Sequence, residues 1–442
     1  MFLRYLLANI FLVLFMCLAF NVVLNAQQNQ LSLQQVIQLS VKNSKVLKAS
    51  KARIEMTNAA LVAAKNNQLP NFNISGSYLR VLNNNVELAT KPAQTGGTPP
   101  ASSPTINQAA YGIANISYPV YAGGKIKYGI ESAQYLQQAA TLDAENDKDA
   151  IALNAINAYI NIYKANLTVN ILKNNLSVAR KRDSTFSRLE QNGLLPRNDL
   201  LKTELQTSTI ELNLLEAQSN LELAAMNLNL MLGIKGNEIP KLDTSGIQKE
   251  EINSLEDYQL KAFRNRKDLT ALSIRRKAIG TSIKSANADA YPTVALTGGY
   301  AALYIPKFIT VTNAINAGIG VQYNLASLYK SNSKLAEAKA RDQELAANQD
   351  LLSDAITYQV NQSYSTYALS EKKLEVFAKA ITQAAENYRI TKNKYDNSLV
   401  TLTELLEADV LNQQATLNYS LAKADAIAAY NKLLQSAGIL KY

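Results

Sequence analysis

Glu404 and Glu407 stand three residues apart in "TLTELLEADVL", so a helix through them sets both carboxylates on one face. Such a pair has three uses: general acid and base, a lure for cations, or a plain solvated face. The rest of the inventory narrows the choice. The 442 residues include no His, no Trp and one Cys, Cys17. Ser-His-Asp and Cys-His catalysis and His-ligated metal sites therefore have no raw material. A hydrolase would have to work with carboxylates, Lys and Tyr, and this pair sits at a break in a long helix with no evident pocket. No cofactor and no metal are expected.

The opening stretch "MFLRYLLANIFLVLFMCLAFNVVLNAQQ" has a positive charge at Arg4, an apolar run and a small residue at Ala26, which reads as a secretory signal over 1–26. Acylation at Cys17 is the alternative; Met16 stands before it where a small residue is wanted, and the residues after it are still apolar. Formal net charge is +10, with Lys and Arg scattered. That distribution reads as a solvated surface and not as a nucleic-acid site. No apolar run of 18 residues follows residue 26, so the membrane crossing left open is a β-barrel.

The chain is written twice. Gly193 and Ser398, Asp199 and Glu404, Gly233 and Gly438, and Tyr118-Pro119 and Tyr323-Asn324 are each 205 apart, whereas Leu69-Pro70 and Tyr291-Pro292 are 222 apart. The difference falls in the Pro/Gly/Ser/Asn-rich loop 83–108. Residues 27–233 form the first repeat, 234–268 a polar linker and 269–442 the second. Each repeat reads helix, strand, loop, strand, long helix, break, long helix. Ser32 and Gln35 announce a capping box for a first helix running to about Gln68. Strands within about 71–121 and 293–325 alternate: Phe72, Ile74, Gly76 and Tyr78 on one side, Asn71, Asn73, Ser75 and Ser77 on the other. The second strand shifts phase near Asn115. Each strand is long enough to cross a bilayer, with tyrosines near the ends. Four strands cannot close, and open edges are not tolerated in hydrocarbon, so several chains must share a barrel.

From about Lys127 to Gln191, and again from Ser331 to Asp396, the pattern is helical, with stripes Leu153, Ile156, Ile160, Tyr163, Leu167 and Leu352, Ile356, Val360, Tyr364, Tyr367. Some 60 helical residues span roughly 90 Å, a rod that must pack laterally as coiled coil. The breaks at about 192–200 and 397–405 are hairpin tips at the ends away from the strands.

The ordered set of "LSLQQVIQLSVKNSKVLKA", Leu69-Pro70, "YPVYAGGKIKYGI" and the two tips resembles the TolC-like family of outer-membrane efflux proteins. Departures are Ser44, where the family commonly has Pro, and "YNLASLYKSNSKL", which lacks the paired glycines of the first copy. The resemblance implies a homotrimer whose four strands per chain make a twelve-stranded barrel in outer-membrane lipid. It also implies a helical tunnel in the periplasm, a periplasmic adaptor, an inner-membrane pump, and passage without chemistry. Glu404 and Glu407 match acidic residues that ring the entrance; three copies would place six carboxylates there, attracting cations. Tyr395 and Asp199 match polar contacts that hold the entrance shut, while Val400 occupies the place of the family's arginine and nearby Arg197 is the substitute. Gly193, Leu194, Leu195, Ser398, Leu399 and Val400 are small or apolar where solvent is expected, which suggests docking of the adaptor's helical hairpin or of a neighbouring hairpin. A pore-less periplasmic coiled-coil scaffold is the rival reading. Drugs, metals, peptides and polysaccharides are all open as cargo.

Overall fold

The computed structural model of the protein describes residues 30–80, 82, 106–236, 238–243, 253–306, 308–328 and 332–442. The expected signal segment with Cys17 and nearly all of the loop 83–108 lie outside them.

The chain opens with α1 (Leu33–Asn43), begun by the reciprocal Ser32–Gln35 capping box, and α2 (Lys45–Asn66). The single helix expected here is thus two. Ser44 is extended, with φ −61° and ψ 124°, and its hydroxyl accepts from Leu47 N, 3.2 Å. It ends one helix and caps the next, a role that a short polar side chain fills by hydrogen-bonding the orphan amides of a first turn. Strands β1 (Asn71–Arg80) and β2 (Gln108–Tyr121) follow, then α3 (Lys125–Gln191) and α4 (Arg197–Leu232). The second pass has α5 (Leu255–Asn265), α6 (Lys267–Ala288), β3 (Thr293–Ile305), β4 (Ile309–Gln322), α7 (Ser333–Asp396) and α8 (Leu402–Ser436). Arg266 parts α5 from α6 in the same extended conformation as Ser44. No described helix is long and apolar enough to cross a membrane.

Contacts divide the described residues into two compact units, one drawn from 1–50, 143–269 and 351–442, the other from 51–142 and 270–350. In the first, Tyr159, Ile156 and Ile162 on α3 and Leu228 and Leu232 on α4 are fully buried with Val36 of α1. This core is wider than the stripe read from sequence: Leu167 is only half-buried, and Tyr159 and Ile162 join because a straight helix drifts off a seven-residue repeat. On the second stripe, Ile356, Val360 and Tyr367 are buried with Tyr258 and Leu433. Linker residues pack here too: Leu31 bridges Leu242, and the Tyr159 hydroxyl donates to the Asp243 carbonyl. Two apolar lines stay uncovered. Leu205, Leu212, Leu223 and Leu230 along α4, and Leu351, Tyr358, Leu369 and Val376 along α7, are exposed at mostly seven-residue intervals.

The second unit holds the antiparallel sheet, in the order β1-β2-β3-β4, so that β1 and β4 are edges. Pairing is unbroken through Asn115, which corrects the expected phase shift; the irregularity in β2 lies between Pro119 and Tyr121. Tyr111 and Ile113 look out of phase because they are apolar residues on the otherwise polar side. The opposite side is apolar over most of its length and turns polar at the hairpin end, where it carries Arg80, Gln108 and Thr310. Phe72, Ile74, Tyr78, Ile116, Tyr118, Leu296, Tyr300, Ile315 and Ile319 share it, all exposed. At the sheet's helix end, Asp289 accepts from Lys125 Nζ at 2.7 Å and from Lys334 Nζ at 3.3 Å, joining the starts of α3 and α7. The lysine beside it holds the Asp289 carboxyl below its ordinary value. Gly123, at φ 60° in the turn before α3, has no room for a Cβ, which would lie 2.9 Å from the Ala288 carbonyl.

Candidate functional site

Both tips are built on one backbone. At the first, Gly193 takes φ 70°, its amide donates to the Glu190 carbonyl at 2.9 Å and Leu194 N donates to the Leu189 carbonyl at 2.8 Å. At the second, Ser398 takes φ 59°, its amide donates to the Tyr395 carbonyl at 2.9 Å and Leu399 N to the Lys394 carbonyl at 2.9 Å. A left-handed residue lets two amides turn back onto the last helical carbonyls, which satisfies groups that a helix end otherwise leaves bare. Asn192 and Asn397 repeat each other as well, each side chain donating to a carbonyl four residues earlier.

The six tip residues divide accordingly. Leu194 and Leu399 are 74% and 73% exposed, and Gly193 and Ser398 are also exposed. Leu195 and Val400 are not: both are half-buried, and Leu195 packs on Phe186, Leu200, Leu402 and Leu405 beneath the turns. Their side chains turn inward because the left-handed residue reverses the chain just before them.

Glu404 and Glu407 are exposed on the first turns of α8, on one face. Glu404 has a structural occupation that the family resemblance does not supply. Thr401 caps α8, its hydroxyl accepting from Glu404 N at 3.3 Å, while Thr401 N and Oγ1 both donate to Glu404 Oε1, at 3.3 and 3.0 Å. The motif T-x-x-E preceding an apolar run was legible as a capping box. Glu407 makes no hydrogen bond or ion pair among the described residues.

Asp199 lies in the first turn of α4, 3.4 Å from Lys202 Nζ. Tyr395 stacks on Phe186, with ring centroids 6.3 Å apart. Burial pushes the Tyr395 hydroxyl's pKa up, and the carboxylates of Asp199 and Asp396 push it further. The fold thus brings Asp199 and Tyr395 into one neighbourhood, with a tyrosine that stays protonated and able to donate. Arg197 does not join them; its guanidinium sits 3.7 Å from Glu190 on the same hairpin.

The strongest polar tie at the tips is one that sequence reading missed. Arg182 Nη1 of α3 donates to Asp409 Oδ2 of α8 at 2.8 Å, with the two side chains only 14% and 11% exposed. Gln413 donates to the other carboxylate oxygen at 3.0 Å. A desolvated ion pair is costly to break from one side, because the remaining charge stays buried alone. The signal was present: Leu402, Leu405 and Asp409 follow at helical spacing, a carboxylate on an apolar stripe. Tyr388 lies close by, its pKa raised by burial and then by Asp409.

Comparison with known proteins places the chain in a family and shows the fold it shares. The family model described as "Outer membrane efflux protein" matches residues 36–234 and 260–439. Among curated proteins no sequence matches the chain. Similar solved structures include the outer-membrane channel OprN, 17% identical, covering 92% of this chain and 89% of that one, with a TM-score of 0.77. VceC of Vibrio cholerae is 18% identical over 92% of this chain and 96% of that one, TM-score 0.76. The CmeC outer membrane channel of Campylobacter jejuni is 18% identical over 92% and 85%, TM-score 0.77.

Proposed function

Since the chain belongs to the outer membrane efflux protein family, we propose that three copies share one twelve-stranded barrel as the passive exit duct of a tripartite efflux or type I secretion system. The observation that carries the reading is the sheet. It is apolar along most of one side, bilayer-long, and unpaired at both β1 and β4. Hydrocarbon tolerates apolar side chains and no open edge, so the edges must pair with other copies. Eight strands is the usual floor, and three copies give twelve. A pore-less scaffold has no use for such a face. The uncovered seven-residue lines on α4 and α7 supply matching surfaces for neighbouring helices, as knobs and holes require.

In this trimer Glu404 and Glu407 contribute six carboxylates around the periplasmic entrance, a ring that draws cations and repels anions. Arg182 and Asp409 hold α8 against α3 beneath it, and Asp199 and Tyr395 are the polar groups nearest the turn. Leu194 and Leu399 offer apolar contact to the adaptor. No step of chemistry is assigned to the chain itself.

The test is single-channel conductance of the purified protein in a planar bilayer, intact and as Glu404→Gln with Glu407→Gln. Glutamine at the third helical position still closes a capping box, so the charge goes while α8 keeps its start. The expected result is a cation-preferring conductance whose preference the double variant loses. Folded protein with no conductance would end the duct reading; conductance indifferent to the substitutions would move the selective ring elsewhere.

A further inference from the structure

The side of the sheet opposite the apolar one changes character along its length. The first row that crosses all four strands from the helix end is Asn71, Ser117, Thr297, Gly318. Next come Asn73, Asn115, Gly299 and Asn316. A Cβ on Gly299 would lie 2.8 Å from Asn115 Oδ1 and 3.1 Å from Asn316 Oδ1, so the two carboxamides close over the glycine. Beyond this amide row the polar groups are Ser75 and Ser77 of β1, beside Ile113 and Tyr111, and the Tyr111 hydroxyl. Ile113 pairs with Ala301, Tyr111 with Leu303, and Leu303 with Val311, while Leu79 and Ile305 stand in the last row before the hairpins. None of these side chains is charged, and Ile113, Leu303, Ile305 and Val311 are half-buried.

A bulge supplies part of this surface. Ala301 pairs with Ala314 and Leu303 with Val311, so Thr312 and Asn313 face the single residue Ala302. Side chains alternate across a strand, and one extra residue flips all that follow. Without it Val311 and Ile309 would lie with Ile315 and Ile319 on the side of Phe72 and Tyr300. The bulge turns them to the other. Asn313 takes φ 56° to do so and is held by Tyr300, whose hydroxyl accepts from Asn313 N at 3.4 Å and lies 3.3 Å from its Oδ1. A left-handed, non-glycine residue that is locally strained and anchored in mid-strand marks a built feature.

We infer that Leu79, Tyr111, Ile113, Leu303, Ile305 and Val311 form an apolar collar inside the duct, at the barrel end away from the helices. This rests on the three-copy barrel proposed above, which sets the side of Phe72 and Ile315 toward lipid and this side toward the lumen. An uncharged, mostly apolar ring holds water weakly and disfavours hydrated ions, while a cargo with an apolar body loses little on entering it. The duct then has two filters in series, carboxylates at the entrance and a dry collar at the exit. The cargo class that suits both is a cationic solute with an apolar body.

The test compares Leu303→Ser with Val311→Ser, and separately Leu303→Cys and Ile315→Cys, in the bilayer assay on trimeric protein. Wetting the collar should raise conductance about twofold or more with the entrance preference unchanged. A membrane-impermeant thiol reagent should reduce current through Leu303→Cys and leave Ile315→Cys alone. The cysteine variants keep near-native volume and hold the question open if the serine pair fails to fold. Unchanged conductance in the serine pair, or reactivity at 315 and not at 303, would overturn the collar while cation preference still answered to Glu404 and Glu407. No conductance from any folded trimer would instead overturn the duct, and the collar with it.

Discussion

The two hairpin tips share a backbone and differ in how they hold it. The first places Gly193 at the left-handed position and enters α4 from Pro196, which has no side-chain cap. The second places Ser398 there, at a steric cost of about 1 kcal/mol for a side chain in that region, and enters α8 through the Thr401–Glu404 box. Its α8 is also bound to α3 by the buried Arg182–Asp409 pair. One geometry thus has two solutions: a residue with no side chain to strain, or strain offset by a cap.

The largest expected effect falls on the tie between the hairpins. Asp409→Ala leaves Arg182 buried and unpaired, and should destabilise the tip by about 3 kcal/mol, read as faster amide exchange in the first turns of α8. If exchange there matches that of an Arg180→Ala variant, whose ion pair with Glu211 is exposed, the tie is not what holds α8. Next come the caps. Glu404→Ala should cost about 1 kcal/mol by the same measurement while Glu404→Gln costs almost nothing, which separates the carboxylate's helical duty from its charge. Exchanging the turn residues tests the strain itself: Ser398→Gly should stabilise the second tip by up to about 1 kcal/mol, and Gly193→Ser should cost the first a similar amount. Equal and opposite shifts in thermal midpoint in detergent would bear this out; no shift at 398 would mean that Ser398 is unstrained.

The smallest effect lies at the sheet's helix end. The Asp289 carboxyl is held below the ordinary aspartate value of 3.8 by its bond from Lys125. A depressed carboxylate contributes stability that is present above that value and lost as pH falls through the folded one. The pair is partly exposed, so the contribution should be under about 1 kcal/mol and weaken with salt. Thermal midpoints from pH 7 down to 3 should fall less steeply in Asp289→Asn than in the unaltered protein.

Sequence by itself determined the order of elements, the faces of β1, β3 and most of β4, and the position of both turns. Those follow from local rules: period two against period 3.6, proline and glycine as stops, and a capping motif at Ser32. It also showed Glu404 and Glu407 on one face, since three residues of helix settle that alone. Tertiary structure decided the rest, because the missing pieces are pairings between residues far apart in the chain. Arg182 finds Asp409 across 227 residues, and nothing near either one announces its partner. Leu195 and Val400 look like exposed tip residues until the turn's left-handed residue points them inward. Ser44 reads as helix interior until its hydroxyl is seen to cap Leu47. Val311 reads as one more residue of the side that carries Ile315, and only the register against Leu303 shows that the strand has turned it over.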